Sequence, residues 1–258
     1  MARRWVGAAW AVVVVCTAAI GLVGCTGARP IRTPAPAPEA IGPRHVPELA
    51  SVPAMATIAR LIAPASALST PDGRRTVERL QTTVRPGGGP TELLVLDRRT
   101  VRGTPWLRVR LPERPNGSSG WIDANDAVLS STPWRIVVST ERRTLAVFWN
   151  DQEVRSYPVV VGAPSSPTPH GLFAVEERIP LADPVGFFGS WILTLTAHST
   201  VYQHFDGGDG QVAIHGRGGS SLLVPLGTAR SHGCVRMDNP AVAWLARVAG
   251  PGTPVEIV

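Results

Sequence analysis

Beyond residue 56 the apolar residues of this chain fall in short runs, each closed by a glycine, proline or asparagine turn signal. That pattern leaves little room for helix. Glu92-Leu93-Leu94-Val95-Leu96, Trp106 to Leu111 and Gly120-Trp121-Ile122-Asp123 read as strands. Pro71-Asp72-Gly73, Pro86-Gly87-Gly88-Gly89 and Pro115-Asn116-Gly117 separate them. The alternation in Trp106 to Leu111 predicts a half-buried strand with Arg108 and Arg110 on the wet face. Ser130 to Pro133 marks a boundary. After it come strand patterns at Trp134–Thr140, Leu145–Trp149, Glu153–Gly162, Gly171–Glu176, Trp191–Thr196, Gln211–His215 and Val255–Val258. One stretch near the end has helical period. Asn239 is placed to cap it, Pro240 suits its first position, and Gly250-Pro251 stops it. Val242, Leu245, Ala246 and Ala249 form the apolar stripe of a helix packed on a sheet. The expected fold is mainly β with one C-terminal helix.

The N-terminus reads differently. Arg3 and Arg4 precede a nearly unbroken apolar run from Trp5 to Gly24, long enough to span a bilayer at ~20 residues. Leu22-Val23-Gly24-Cys25 has the aliphatic, small, cysteine pattern of a lipoprotein signal, which makes Cys25 a lipidation candidate. The alternatives are an ordinary cleaved signal and an uncleaved membrane anchor. On each reading the remainder is exported to the cell envelope, on the outer face of the membrane. Residues 26–52 are rich in proline and alanine and read as an extended spacer. The segments are therefore 1–25 signal, 26–52 spacer, 53–131 a small β unit and 132–258 a second β-rich unit. The 25 basic residues are all arginine and outnumber 19 acids, for a net charge of +6. They are scattered, with no basic run interleaved with aromatics, so nucleic acid is not an expected partner.

The three cysteines narrow the chemistry. Cys16 lies within the apolar run as a small hydrophobe, and Cys25 is consumed by lipid. Cys234 is then the lone thiol of the exported part, without a disulfide partner. One cysteine offers no C-x-x-C pair and the histidines show no H-E-x-x-H spacing, so no metal is expected. A thiol reacts as thiolate, and a neighbouring imidazole can take its proton to form an ion pair. His215, at the end of the strand Gln211–His215, and His232, two residues from the thiol, are the candidates. Gly233 removes a side chain beside the sulfur. The backbone N–H groups of residues 232–234 then face a developing oxyanion.

Ile214-His215-Gly216, then Ser231-His232-Gly233-Cys234-Val235-Arg236-Met237, resemble the L,D-transpeptidase catalytic family, also called the YkuD type. Val159–Gly162, Thr168–Phe173 and Gly252–Val255 carry the same resemblance, which covers about residues 134–258. Residues 53–131 resemble a small SH3-like β-barrel, through Gly103–Val109 and Gly120–Asp123. Trp106 and Trp121 there are read as core more than as a ligand groove. The resemblance implies Cys234 as the acylated nucleophile and His215 as the proton acceptor. Gly216 lends a carbonyl to orient the imidazole, Ser231, His232 and Gly233 form the oxyanion and positioning part, and Arg236 contacts substrate or makes a structural salt bridge. It further implies a peptidoglycan tetrapeptide donor, a meso-diamino acid acceptor stem, 3–3 cross-links through a thioester, carbapenem sensitivity and no cofactor. An L,D-carboxypeptidase or other wall peptide hydrolase, and a non-catalytic wall-binding lipoprotein, are the alternatives. His198, Tyr202 and His204 lie in a glycine-rich loop and receive no role.

Overall fold

The computed structural model describes residues 54–85, 87–204 and 208–258. These fall within one compact unit, Glu48–Val258. The expected signal, Cys25 and the spacer 26–52 lie outside the described residues. Seventeen strands and one α-helix are found among the described residues.

The first seven strands are β1 (Ala56–Leu61), β2 (Ala65–Leu68), β3 (Thr76–Leu80), β4 (Glu92–Val101), β5 (Thr104–Arg110), β6 (Ser119–Asp123) and β7 (Ala127–Thr132). They form one sheet in the order β3-β2-β6-β5-β4-β1-β7. Its core gathers Ala59, Leu61, Ala67, Leu93, Leu107, Val109, Leu111 and Ile122. On β5 the alternation holds for Leu107, Val109 and Arg108, but Arg110 departs from it and is buried. The Arg110 guanidinium turns back to donate to the carbonyls of Gly117 and Ser118, which is why a charged residue is tolerated there. Trp121 is buried beneath the Arg99 guanidinium, 5.1 Å from its ring centroid, while Trp106 is half-buried.

The second part comprises β8 (Trp134–Ser139), β9 (Thr144–Trp149), β10 (Gln152–Pro158), β11 (Val161–Gly162), β12 (Gly171–Pro180), β13 (Trp191–His198), β14 (Gln211–His215), β15 (Ala229–Ser231), β16 (Val235–Arg236), the helix α1 (Asn239–Val248) and β17 (Pro254–Ile257). Eight strands make a sheet in the order β10-β9-β8-β17-β12-β13-β14-β16, and β11 pairs with β15 separately. The expected single strand Glu153–Gly162 is thus two. Val159 and Val160 turn the chain out of the large sheet, and Val160 bridges to Arg236 instead. Phe173, Val175, Leu193, Leu195, Val212, Ile214, Val235 and Met237 line one face of the sheet, and Val242, Leu245 and Ala246 of α1 close that core. Each such side chain, fully buried, is worth about 1.5–3 kcal/mol.

Helix α1 starts at Asn239 with Pro240 in its first turn, but its cap residue is Asp238, whose side chain makes no capping bond. Asn239 therefore is not the cap. Its carboxamide is engaged elsewhere, as described below.

Contacts between the sheets include an apolar cluster and a carboxylate clasp at β12. Ala56 and Leu94 pack on Ala174 of β12, with Leu96 and Leu172 beside them. The Glu177 carboxylate accepts the N–H groups of Gly87 (3.2 Å) and Gly89 (3.4 Å). A side chain at Gly87 would collide with that carboxylate.

Candidate active site

Strand parity brings the key residues to one face. β14 and β16 run parallel, with Ile214 opposite Val235 and His215 opposite Arg236. Successive side chains alternate, so Val212, Ile214, Val235 and Met237 enter the core. Ala213 and His215, with Cys234 and Arg236, point to the opposite face. The Arg236 charge bears on both the Cys234 thiol and the His215 ring, which places all three in one electrostatic neighbourhood.

The imidazole is held in a defined tautomer. His215 Nδ1 lies 2.7 Å from the Gly216 carbonyl oxygen. A carbonyl only accepts, so Nδ1 carries the hydrogen and Nε2 is the basic nitrogen. The ring is packed edge-on against Phe188 (5.0 Å between centroids, 70°) and against Phe187 at 6.3 Å. Burial pushes its pKa down to about 4, against the Gly216 carbonyl, which raises it, and with the Arg236 charge, which lowers it further. His215 is therefore neutral and available as a base at pH 7.

Cys234 keeps part of its surface open. Burial raises its pKa, opposed by the backbone N–H of Ala213 and by Arg236. Both shifts favour uncharged groups. Both directions weigh against the ion pair that a neighbouring imidazole can form, because the apolar packing that orients His215 also removes the water that would stabilise charge.

The turn carrying the thiol is braced from below. Ser231 Oγ donates to the Cys234 carbonyl (2.6 Å) and accepts the Gly233 N–H (3.1 Å). Thr168 Oγ1 donates to the Gly233 carbonyl and accepts the Gly162 N–H, each at 2.8 Å. Ser166 Oγ donates to the Ser231 carbonyl at 3.2 Å. Because its N–H is given to Ser231, Gly233 acts in positioning the turn. Its φ is +122°, and a Cβ there would meet only ordinary contacts beyond 3.6 Å. Backbone conformation, more than room for a substrate, explains the glycine. The exposed His232 ring packs on Tyr202, 5.7 Å between centroids.

Gly216 has a steric reason. A Cβ there would strike the Asn239 carboxamide. Asn239 Oδ1 accepts the N–H groups of Ser190 and Arg217, both at 3.1 Å, and its Nδ2 donates to the Pro184 carbonyl at 3.0 Å. One side chain thus ties the Phe187-Phe188 loop to the segment that holds His215. Asn239, Thr168 and Phe188 were not foreseen as site residues. The asparagine had a competing explanation as a cap, and the phenylalanines fit no strand or helix period.

Arg236 is buried, its guanidinium 4.8 Å over the Phe187 ring, and it forms no ion pair among the described residues. Its Nε has no hydrogen-bond partner. Among the described residues the structural salt bridge is therefore absent, and a buried guanidinium with an unpaired Nε–H bears on the thiol. Arg217, its cationic neighbour, is instead paired with Asp238 at 2.6 Å. His198 is buried against Asp209 (3.0 Å) and His204 is exposed. Among the described residues no group of three or more His, Cys, Asp or Glu side chains is placed to hold a metal.

This arrangement matches a known pattern. Residues 133–257 fit the family model YkuD, the L,D-transpeptidase catalytic domain. The YkuD protein of Bacillus licheniformis is 33% identical over 181 residues, which are 67% of this chain and 96% of that relative. The chain belongs to the YkuD family of L,D-transpeptidases. Similarity to L,D-transpeptidase 1 of Mycobacterium tuberculosis is 27% over 199 residues, 64% of this chain and 74% of that protein. Among solved structures, Bd1075 of Bdellovibrio bacteriovorus is 27% identical with a TM-score of 0.39, over 49% of this chain and 48% of that one. The chain thus spans about half the length of that structure. In this L,D-transpeptidase family member the family match ends one residue short of the C-terminal Val258, so it takes in β8 to β17 and every residue of the Cys234–His215 face.

Proposed function

We propose that the chain is a peptidoglycan L,D-transpeptidase that works through a thioester on Cys234. The observation that carries this reading is the shared face of β14 and β16. There a partly open thiol shares a face, and the influence of the Arg236 charge, with an imidazole whose Nδ1–H is fixed on the Gly216 carbonyl. As sulfur attacks the carbonyl of the third residue in a tetrapeptide stem, His215 Nε2 takes the thiol proton. The C–N bond to terminal D-Ala breaks, and the same nitrogen returns the proton to the leaving amine. The side-chain amine of a meso-diamino acid on a second stem then attacks the thioester. The C–S bond breaks, His215 Nε2 passes the amine proton to the departing sulfur, and a 3–3 cross-link results. Arg236, buried without an acidic partner, is the group for a substrate carboxylate or carbonyl. His232 and the Cys234 amide flank the carbon under attack, with Ser231 and Gly233 setting the turn.

In the same reading residues 1–25 deliver the protein to the outer face of the membrane, where Cys25 carries lipid and 26–52 spans the gap. Residues 53–131 serve as an SH3-like unit and 132–258 as the catalytic one. The test uses a disaccharide-tetrapeptide and mass spectrometry of the products. Cross-linked dimers with loss of D-Ala support transfer. Tripeptide monomers alone make the protein a carboxypeptidase, and unchanged substrate contradicts both.

A further inference from the structure

The loop between β5 and β6 belongs to the N-terminal sheet, yet it grips the segment that follows β13. Asn116 reads the backbone of His198 in both directions. Its Oδ1 accepts the His198 N–H at 2.8 Å, and its Nδ2 donates to the His198 carbonyl at 2.7 Å. Arg114 reaches three carbonyls. Nη1 donates to Ser199 (2.6 Å), and Nη2 donates to Tyr202 (3.0 Å) and Asp209 (2.9 Å). A planar fork of fixed donors suits this task, and a single ammonium could not span the three acceptors. The gripped segment is organised to receive it. Ser199 Oγ accepts the N–H groups of Val201 and Tyr202, at 3.2 and 3.0 Å. Ser199 N–H donates to the Gly210 carbonyl at 2.8 Å. Gly210, at φ +78°, leaves the space that the Tyr202 carbonyl and the Arg114 guanidinium occupy. What the grip delivers is the Tyr202 ring, set against His232 two residues from Cys234.

We infer that Arg114 and Asn116 are positioning residues for the reaction at Cys234. They hold residues 198–202 so that Tyr202 and His232 form one wall of the substrate groove. A folded N-terminal sheet is thereby a requirement for substrate binding, apart from any ligand of its own. This inference rests on the proposed transpeptidase reading for its kinetic consequence, but not for its structural one.

The experiment compares wild type with Arg114→Ala, Arg114→Lys, Asn116→Ala and Tyr202→Ala in the full chain held in detergent. Hydrogen exchange is read at residues 199–204. Cys234 alkylation by iodoacetamide, and kcat and KM with the disaccharide-tetrapeptide donor, are measured alongside. Arg114→Ala and Asn116→Ala are expected to speed exchange at Val201 and Tyr202 roughly tenfold. KM should rise about tenfold with little change in kcat, and alkylation should stay within about twofold of wild type. Lysine at 114 should not rescue. Tyr202→Ala should reproduce the KM change, and combining it with Arg114→Ala should add little, because the two act on one contact. Unchanged exchange in both clasp variants overturns the inference. So does alkylation falling in step with turnover, which would mean general loss of structure. Should wild type fail to turn over the donor at all, the proposed reaction is wrong, while exchange and alkylation still decide the clasp.

Discussion

At Cys234 and His215 the same burial acts on two groups of opposite charge type. It raises the thiol and lowers the imidazole to about 4, and both directions favour the uncharged forms. The alkylation rate of Cys234 should therefore climb with pH through 6 to 8 without the plateau of a preformed thiolate, measured with iodoacetamide and peptide mapping. A plateau below pH 7 would indicate a resting ion pair. His215 also leaves a stability signature. Its folded pKa lies below the ordinary 6.5, so the unfolded chain takes up a proton that the folded chain refuses. Stability on this account is present above pH 6.5 and is lost as pH falls toward 4. His215→Gln should flatten that slope, read as the difference between variant and wild-type denaturation midpoints across the window. Cys234 and His215 stood out in the sequence as candidate nucleophile and base, since both chemistry-bearing residue types sat in short specific motifs. Their protonation state was not, because it depends on Phe187 and Phe188, which reach the imidazole from a loop without periodicity.

At the scale of elements, the site depends on ties between loops and strand ends. Asn239 opens α1 yet serves the loop 184–190 and the segment after β14 through three hydrogen bonds. Asn239→Ala should cost about 2–3 kcal/mol, at roughly 1 kcal/mol per bond. Chemical denaturation would measure it, with a larger proportional loss of turnover as the Phe188 contact to His215 loosens. Asn239→Asp keeps the two acceptor bonds and should recover most of the stability. Strand positions were largely readable, and Gln211–His215 has the bounds the alternation suggested. The misreadings share a cause. Asn239 and the break at Val159–Val160 are governed by partners distant in sequence, and Arg110 by carbonyls of the turn that follows its strand, none of which local period can report.

Across the whole molecule, the two sheets meet around a cavity of about 640 Å³ lined in part by Glu176, Glu113, Asp209 and Arg110. Burial raises Glu176 to about 7, opposed by a hydrogen bond from Gln211 and reinforced by Glu177, Asp209 and Glu113. Here the sign is opposite to that of His215. The folded chain holds a proton that the unfolded chain releases, so stability is fully present below about pH 4.5 and is lost as pH rises to 7. Glu176→Gln should remove that loss and stabilise the protein above pH 7 by on the order of 3 kcal/mol. The two slopes oppose one another between pH 4.5 and 6.5, so the wild-type curve conceals both and each variant reveals one. A stability difference between Glu176→Gln and wild type that is the same at pH 5 and pH 8 would contradict the assignment. That the chain comprised a β-rich part on either side of Pro133 was visible from turn signals. How those parts grip one another was not, since Glu177, Arg114 and Asn116 do so through backbone groups that carry no sequence signature.

Acylation of Cys234 by substrate is what the proposed function requires first. A carbapenem presents an activated carbonyl to the same nucleophile, so intact-mass measurement after incubation, followed by peptide mapping, tests it directly. The predicted result is a single adduct on the peptide containing Cys234, lost in Cys234→Ser and strongly slowed in His215→Gln. An adduct elsewhere, or none on a folded protein, would contradict the account.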